Sequence, residues 1–191
     1  LVGLDPAFKN QYPHQYSGGM RQRAIIAMAL SCDPDIIIAD EPTTALDVIV
    51  QDSLLKKVRE IQRVLNMAMI YISHDIAVIA EVSQRVGVMY AGNLCEVADV
   101  QELFSNPRHP YTQALLAAVP KFSQEGQLKS IDGNVPNLVT PPPGCRFHPR
   151  CPYASQKCVD EEPPMMDAAT PGHSTACWHW DQVPELGRLE A

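Results

Sequence analysis

From Leu1 to about Leu94, short apolar runs of strand length alternate with longer segments of helical period, separated by short polar turns. That alternation predicts helices layered on a parallel sheet, the α/β arrangement. Residues 20–30 read as a helix rich in Ala, Ile and Met, and 36–39 as a buried strand, Ile-Ile-Ile-Ala, that ends at the acidic pair Asp40 and Glu41. Residues 48–64 have the period of a long amphipathic helix. Residues 68–72 supply a second buried strand that stops at Ser73 and His74, and 76–81 return to helix. Two further strands, 85–90 and 94–97, are expected to form a hairpin around Ala91, Gly92 and Asn93.

After Ala98 the pattern loosens. Helices are expected at 100–104 and 111–119, joined by a Pro-punctuated linker over 105–110. Prolines then become dense, at 141–143, 152, 163, 164 and 171, interleaved with Cys145, Cys151, Cys158 and Cys177. Such a stretch predicts a compact, irregular module that needs a staple. The expected division is therefore 1–97 and 98–191.

Composition narrows the function classes. With 46% hydrophobic residues there is material for a core, and 19% charged residues is too few for a disordered acidic chain. A formal charge of −7, with the basic residues scattered, argues against a broad nucleic-acid surface. The longest unbroken apolar stretches, such as 24–30, fall well short of the roughly 20 residues a membrane span requires. Membrane association is expected to go through partners, without direct insertion. The sequence opens on Leu1 rather than Met, so the true N-terminus is expected to lie upstream, and the lack of a targeting signal carries little weight. Of the six cysteines, Cys32 and Cys95 stand singly in apolar segments while four cluster late, a distribution that suits a metal site better than a disulfide framework.

Four short motifs carry chemistry. Ser17, Gly18 and Gly19 lead directly into a helix: the serine can cap it, the glycines allow close backbone approach, and the free N–H groups with the helix dipole attract an anion. Alone this is an ordinary helix start. Asp40 and Glu41 sit at the C-terminal edge of a strand, where ligands gather in open α/β sheets. One carboxylate can serve Mg²⁺ and the other can polarise an attacking water, although a solvent-facing strand end would look the same. Thr44, Ala45, Leu46 and Asp47 form a tight loop, and His74 ends the next strand.

Their order and spacing, spread over about 60 residues, resemble the signature, Walker B, D-loop and H-loop of the ATP-binding cassette (ABC) family. The resemblance implies the C-terminal part of a P-loop ABC nucleotide-binding domain. Ser17, Gly18 and Gly19 would grip the γ-phosphate of ATP bound mainly by an opposing subunit. Asp40 would serve Mg²⁺, Glu41 would act as general base, Asp47 would communicate across the dimer, and His74 would contact the γ-phosphate. Tyr16 and Met20 depart from the family's common signature but leave the serine and glycines intact. A Gly-x-x-x-x-Gly-Lys-Ser/Thr loop is absent; residues 87–92 have the glycine spacing, yet Asn93 and Leu94 stand where the lysine and hydroxyl belong. The 191 residues are accordingly expected to be a fragment that hydrolyses ATP poorly by itself, and one that is poorly stable alone because apolar sheet edges stay uncovered.

The gaps between the four clustered cysteines are five, six and eighteen residues. Four thiolates suit tetrahedral Zn²⁺ or a [4Fe–4S] cluster, and the tight Cys-x-x-Cys knuckle usual in zinc ribbons is lacking. Arg146, Arg150 and Lys157 could offset thiolate charge, Phe147, Tyr153, Trp178 and Trp180 could exclude water, and His148, His173 and His179 leave a mixed Cys/His zinc site open. Free thiols in a proline-rich tail are the plainer alternative, and a disulfide suits a cytosolic protein least. The run from Asn106 through His109, Pro110 and Tyr111 to Leu116, followed by Gly144 to Cys151, resembles the extension of oligopeptide/dipeptide importer ATPases. That family can carry a [4Fe–4S] cluster on these cysteines, which favours iron–sulfur over zinc. It also implies a second ABC ATPase subunit and membrane-spanning permease subunits as partners, at the cytoplasmic face of the inner membrane. A soluble ABC ATPase of repair or translation, or a nickel or sugar importer of the same subfamily, are the alternatives.

Overall fold

The computed structural model describes residues 1–119, 131–168 and 170–184 of the chain, so parts of the expected 98–191 module lie outside the described residues. Two compact units form, Leu1–Val82 and Ser83–Ala191.

In the first unit, α1 (Gly18–Leu30), β1 (Ile36–Asp40), α2 (Val48–Leu65), β2 (Ala68–Ile72) and α3 (Ile76–Val82) follow one another, preceded by 3-10 turns at Pro6–Asn10 and Pro13–Gln15. β1 and β2 pair in parallel with Asp40 opposite Ile72, and α2 makes the crossover. α2 is amphipathic: Leu54, Leu55, Val58 and Ile61 are buried along one stripe. It starts at Asp47, whose side chain accepts from the Val50 N–H at 2.9 Å, and stops at Asn66, which takes the left-handed conformation at φ 49°. A small core joins Val2, Leu30, Ile61 and Met67, with Ile37 and Met69 packed against it from the sheet.

The strands are half-buried rather than fully buried as their continuous apolar runs suggested. Ile37, Ala39, Met69 and Tyr71 share the covered face, whereas Ile36, Ile38, Ile70 and Ile72 are 58, 65, 53 and 46% exposed. The period of two along a strand sends alternate side chains to opposite faces, and only one face of this pair is covered among the described residues.

The second unit opens with an antiparallel hairpin, β3 (Arg85–Tyr90) and β4 (Asn93–Asp99), whose turn is the two-residue Ala91 and Gly92, at φ 48° and 86°. Positive φ at both central residues is the geometry that matches strand twist, and it draws Asn93 into the strand rather than the turn. α4 (Val100–Ser105) and α5 (Pro110–Ala117) follow. The cysteine-bearing stretch, expected to have little regular structure, supplies α6 (Gln156–Asp160), β5 (Met166–Asp167) and β6 (Ser174–Thr175). The sheet order is β3-β4-β6-β5. Because β6 pairs with β4, the hairpin belongs to the second unit, and the compact units divide at Val82 and Ser83, upstream of the 97/98 position expected from the change in composition.

Buried polar side chains organise this unit. Glu96 and His173 are 0 and 1% exposed. Glu96 accepts from the backbone N–H groups of Arg108 at 2.5 Å and His109 at 3.0 Å, and its Oε1 lies 2.7 Å from His173 Nε2. His173 Nδ1 faces Glu102 Oε1 at 3.3 Å, and Thr170 donates to the same oxygen at 2.9 Å. Both ring contacts are hydrogen bonds when the imidazole carries two protons. The hydrogen bond from Asn106 is the main reason the Glu102 carboxyl sits below its ordinary range; burial opposes it, and Thr170 and His173 add to the lowering.

Candidate functional site

In the first unit, parallel pairing delivers the ends of β1 and β2 to one edge. The Glu41 N–H donates to the Ile72 carbonyl at 2.9 Å, extending the register one residue past the strand, so Glu41 and His74 emerge side by side. Glu41 Oε1 accepts from the His74 backbone N–H at 3.1 Å and lies 2.8 Å from His74 Nδ1. Thr44 donates its hydroxyl proton to Glu41 Oε2 at 3.0 Å. The His74 hydrogen bond is the main reason the Glu41 carboxyl sits below its ordinary range, and the same bond raises the His74 imidazole above its own. The arrangement keeps the carboxylate ionised and steers one imidazole nitrogen to it, leaving the other nitrogen of a ring that is 80% exposed available to a ligand.

Asp40 ends β1, exposed to solvent and next to Glu41 in the chain. Ser17 caps α1, its hydroxyl oxygen accepting from the Met20 N–H at 3.3 Å, so α1 begins at Gly18, two residues before the expected start. The glycines also have a packing role. A Cβ on Gly19 would meet Val50 Cγ1 at 2.6 Å and one on Gly18 would meet Leu46 Cδ2 at 3.4 Å. The start of α1 thus lies directly against the segment that carries Asp47, whose carboxylate is already engaged in capping α2.

In the second unit, Cys145, Cys151, Cys158 and Cys177 all line one small cavity, walled also by Phe147 and Trp178. All are free thiols. Burial pushes the Cys177 thiol up to about 12, the Cys151 thiol up to about 11, and the Cys145 thiol upward. Cys95, which looked isolated in the sequence, is buried against the same cluster and pushed up to about 12, by burial first and then by Cys145. Nevertheless, among the described residues no group of three or more His, Cys, Asp or Glu side chains is arranged to hold a metal ion.

Several expected participants are occupied elsewhere. His173 is committed to the two glutamates, whereas His148, with Nδ1 2.9 Å from the Cys145 carbonyl, and His179, with Nε2 2.8 Å from Ser155 Oγ, each use one ring nitrogen there and line the same cavity as the cysteines. Arg146 bonds the Ala91 carbonyl, and Arg150 donates to the Ile131 and Asp132 carbonyls at 2.7 Å each. These guanidinium groups brace loops, whereas Lys157 lies 3.6 Å over the Trp178 ring, which itself walls the cavity. Phe147 and Tyr153 line the cavity as expected of shielding groups.

Gly144, Glu96 and Thr44 take parts that the sequence did not assign to them. Gly144 has φ 60°, and a Cβ there would strike the Cys158 carbonyl oxygen and approach that of Val159 at 2.6 Å. It permits the Cys145 N–H to reach the Cys158 carbonyl at 2.8 Å and so sets two of the cysteines together. Glu96 was detectable as a carboxylate inside an otherwise apolar strand.

Residues 2–44 match the ABC transporter family model, and residues 95–158 match the model of the oligopeptide/dipeptide transporter C-terminal region. The second match contains the His109-Pro110-Tyr111 segment and three of the four clustered cysteines; Cys177 lies beyond it. Both models describe ABC transporter proteins. Among these the chain is similar to peptide-transport ATP-binding members. It is 50% identical over 97% of its length to the dipeptide transport ATP-binding protein DppD of Bacillus subtilis, covering 56% of that protein. It is 48% identical over 92% of its length to DppD of Escherichia coli, covering 54% of it. It is 46% identical over 92% of its length to the oligopeptide transport ATP-binding protein AppF of B. subtilis, again covering 54%. The chain spans about half the length of the curated relatives it matches.

Proposed function

We propose that this chain belongs to the ATP-hydrolysing subunit of an importer that moves di- or oligopeptides across the cytoplasmic membrane, working from the cytoplasmic face. The single observation that carries the reading is the apposition of Glu41 and His74, 2.8 Å apart at the C-terminal ends of adjacent parallel strands. A held, ionised carboxylate next to an exposed imidazole is suited to orienting water against a phosphoryl group. Asp40 would hold Mg²⁺, which neutralises charge on the phosphates. Ser17, Gly18 and Gly19 would present an anion-binding helix start to the γ-phosphate, and Asp47, which stands between the Leu46 and Val50 that pack on those glycines, would communicate with a second ATPase subunit. The 191 residues contain no lysine-bearing phosphate loop, so tight ATP binding in this role draws on residues outside them. No helix among the described residues is long and apolar enough to cross a membrane, and coupling to transport would run through permease subunits. In cells expressing the protein with its permease, His74→Ala should abolish ATP-dependent uptake of a labelled dipeptide. Unchanged dipeptide uptake with loss of nickel or sugar uptake would move the substrate class.

The four clustered cysteines are read as ligands of a [4Fe–4S] cluster, with Zn²⁺ as the alternative. Support comes from the donor set: four free thiols share one apolar-walled cavity. Buried thiolates are costly without a cation, so a metal centre would supply the charge that lets these thiols ionise, and iron–sulfur would add a redox function. Protein purified without oxygen is expected to contain about four irons and four acid-labile sulfides, lost on Cys151→Ala. One zinc without sulfide would favour the structural alternative, and absence of both would leave the thiols as plain core.

A further inference from the structure

We propose that Thr44 is the positioning residue for Glu41, fixing the rotamer in which its carboxylate meets water. The inference rests on the reading of Glu41 as the base. Glu41 stands at φ 47°, the left-handed region, at the head of a turn closed by the Thr44 N–H donating to the Glu41 carbonyl at 3.2 Å. Pro42 and Thr43, the middle of that turn, are buried, so the turn is anchored by its centre while Glu41 is half-buried and Thr44 exposed. From this fixed platform the Thr44 hydroxyl returns to Glu41 Oε2 at 3.0 Å. The other oxygen, Oε1, takes both His74 contacts, at 3.1 Å from the backbone N–H and 2.8 Å from Nδ1.

The two sides of the carboxylate are held by elements of different kinds. His74 is exposed and, in the proposed role, moves between Glu41 and a phosphate. Thr44 belongs to the same turn as Glu41 and keeps its hold whatever His74 does. Without the Thr44 hydroxyl, a carboxylate that the imidazole has left is held by the His74 backbone N–H alone, on Oε1, and Oε2 has no partner at the moment when a lone pair must point at water. The two threonines of the turn therefore differ: Thr43 is buried at 6% exposure, and Thr44 reaches the reacting group.

The test is a set of variants in the assembled transporter ATPase. Thr44→Val keeps the branched shape and removes the donor; its kcat is expected to fall roughly tenfold with KM for ATP unchanged, and Thr44→Ser to recover to within about twofold of the unaltered enzyme. The donor favours the ionised carboxylate, so its loss raises the Glu41 pKa and moves the acid limb of the kcat profile to higher pH. In a Glu41→Gln background, Thr44→Val should add no further loss in single-turnover hydrolysis. Equal losses in the Val and Ser variants, an unmoved acid limb, or a loss that persists in the Gln background would each overturn the proposal. A Glu41→Gln enzyme that hydrolyses ATP at the normal rate would instead remove Glu41 as the base, a result distinguishable from all three.

Discussion

Glu41→Gln is expected to lower single-turnover ATP hydrolysis in the assembled protein by roughly 10²- to 10⁴-fold, the range a positioned general base contributes, while nucleotide binding survives. The substitution preserves shape, and the amide oxygen can still accept the His74 N–H that Glu41 accepts at 3.1 Å. What disappears is a carboxylate that His74 and Thr44 hold ionised. A second readout comes from His74 itself. Its imidazole is raised above the ordinary histidine range by Glu41, so in the variant its titration should move to lower pH, which NMR of the ring protons would follow. A loss of less than tenfold would leave Glu41 an orienting group and give the base role to water or to the phosphate.

Glu96→Ala is expected to destabilise the second unit by several kcal/mol, about 1–3 kcal/mol for each buried donor left without its acceptor. Three donors would lose their acceptor at once: the N–H groups of Arg108 and His109, and His173 Nε2, which lies 2.7 Å from the carboxylate. The glutamate ties β4, the segment entering α5, and the loop before β6, three stretches far apart in sequence. Denaturant unfolding of the intact protein measures the effect; a change below about 1 kcal/mol would mean that water replaces the carboxylate and that the cluster is less dry than its 0% exposure implies.

Much of the first unit was legible because its signals are local. The period of α2 and the strand runs that end in Asp40, Glu41, Ser73 and His74 follow from neighbouring residues alone. The second unit was harder. Its strands β5 and β6 are two residues each, too short for any periodicity, and exist because β4 offers a template. The hairpin's place in the second unit has the same origin: a composition change at Ala98 says nothing of β6 pairing with Glu96 and Val97.

By itself the sequence determined the residue types at the candidate site, their order, and the motifs shared with ABC ATP-binding proteins, since these depend on short spans of chain. Only the tertiary structure decided which groups meet. It joined Glu41 to His74 across 33 residues and Glu96 to His173 across 77, and it gave His173 to the glutamates rather than to a metal. It also brought Cys95 beside the clustered thiols and made Gly144 necessary to that cluster. The physical reason is common to all of these: burial and close approach are properties of distant segments packed together, and a buried charge or a missing Cβ has meaning only against the neighbour it meets.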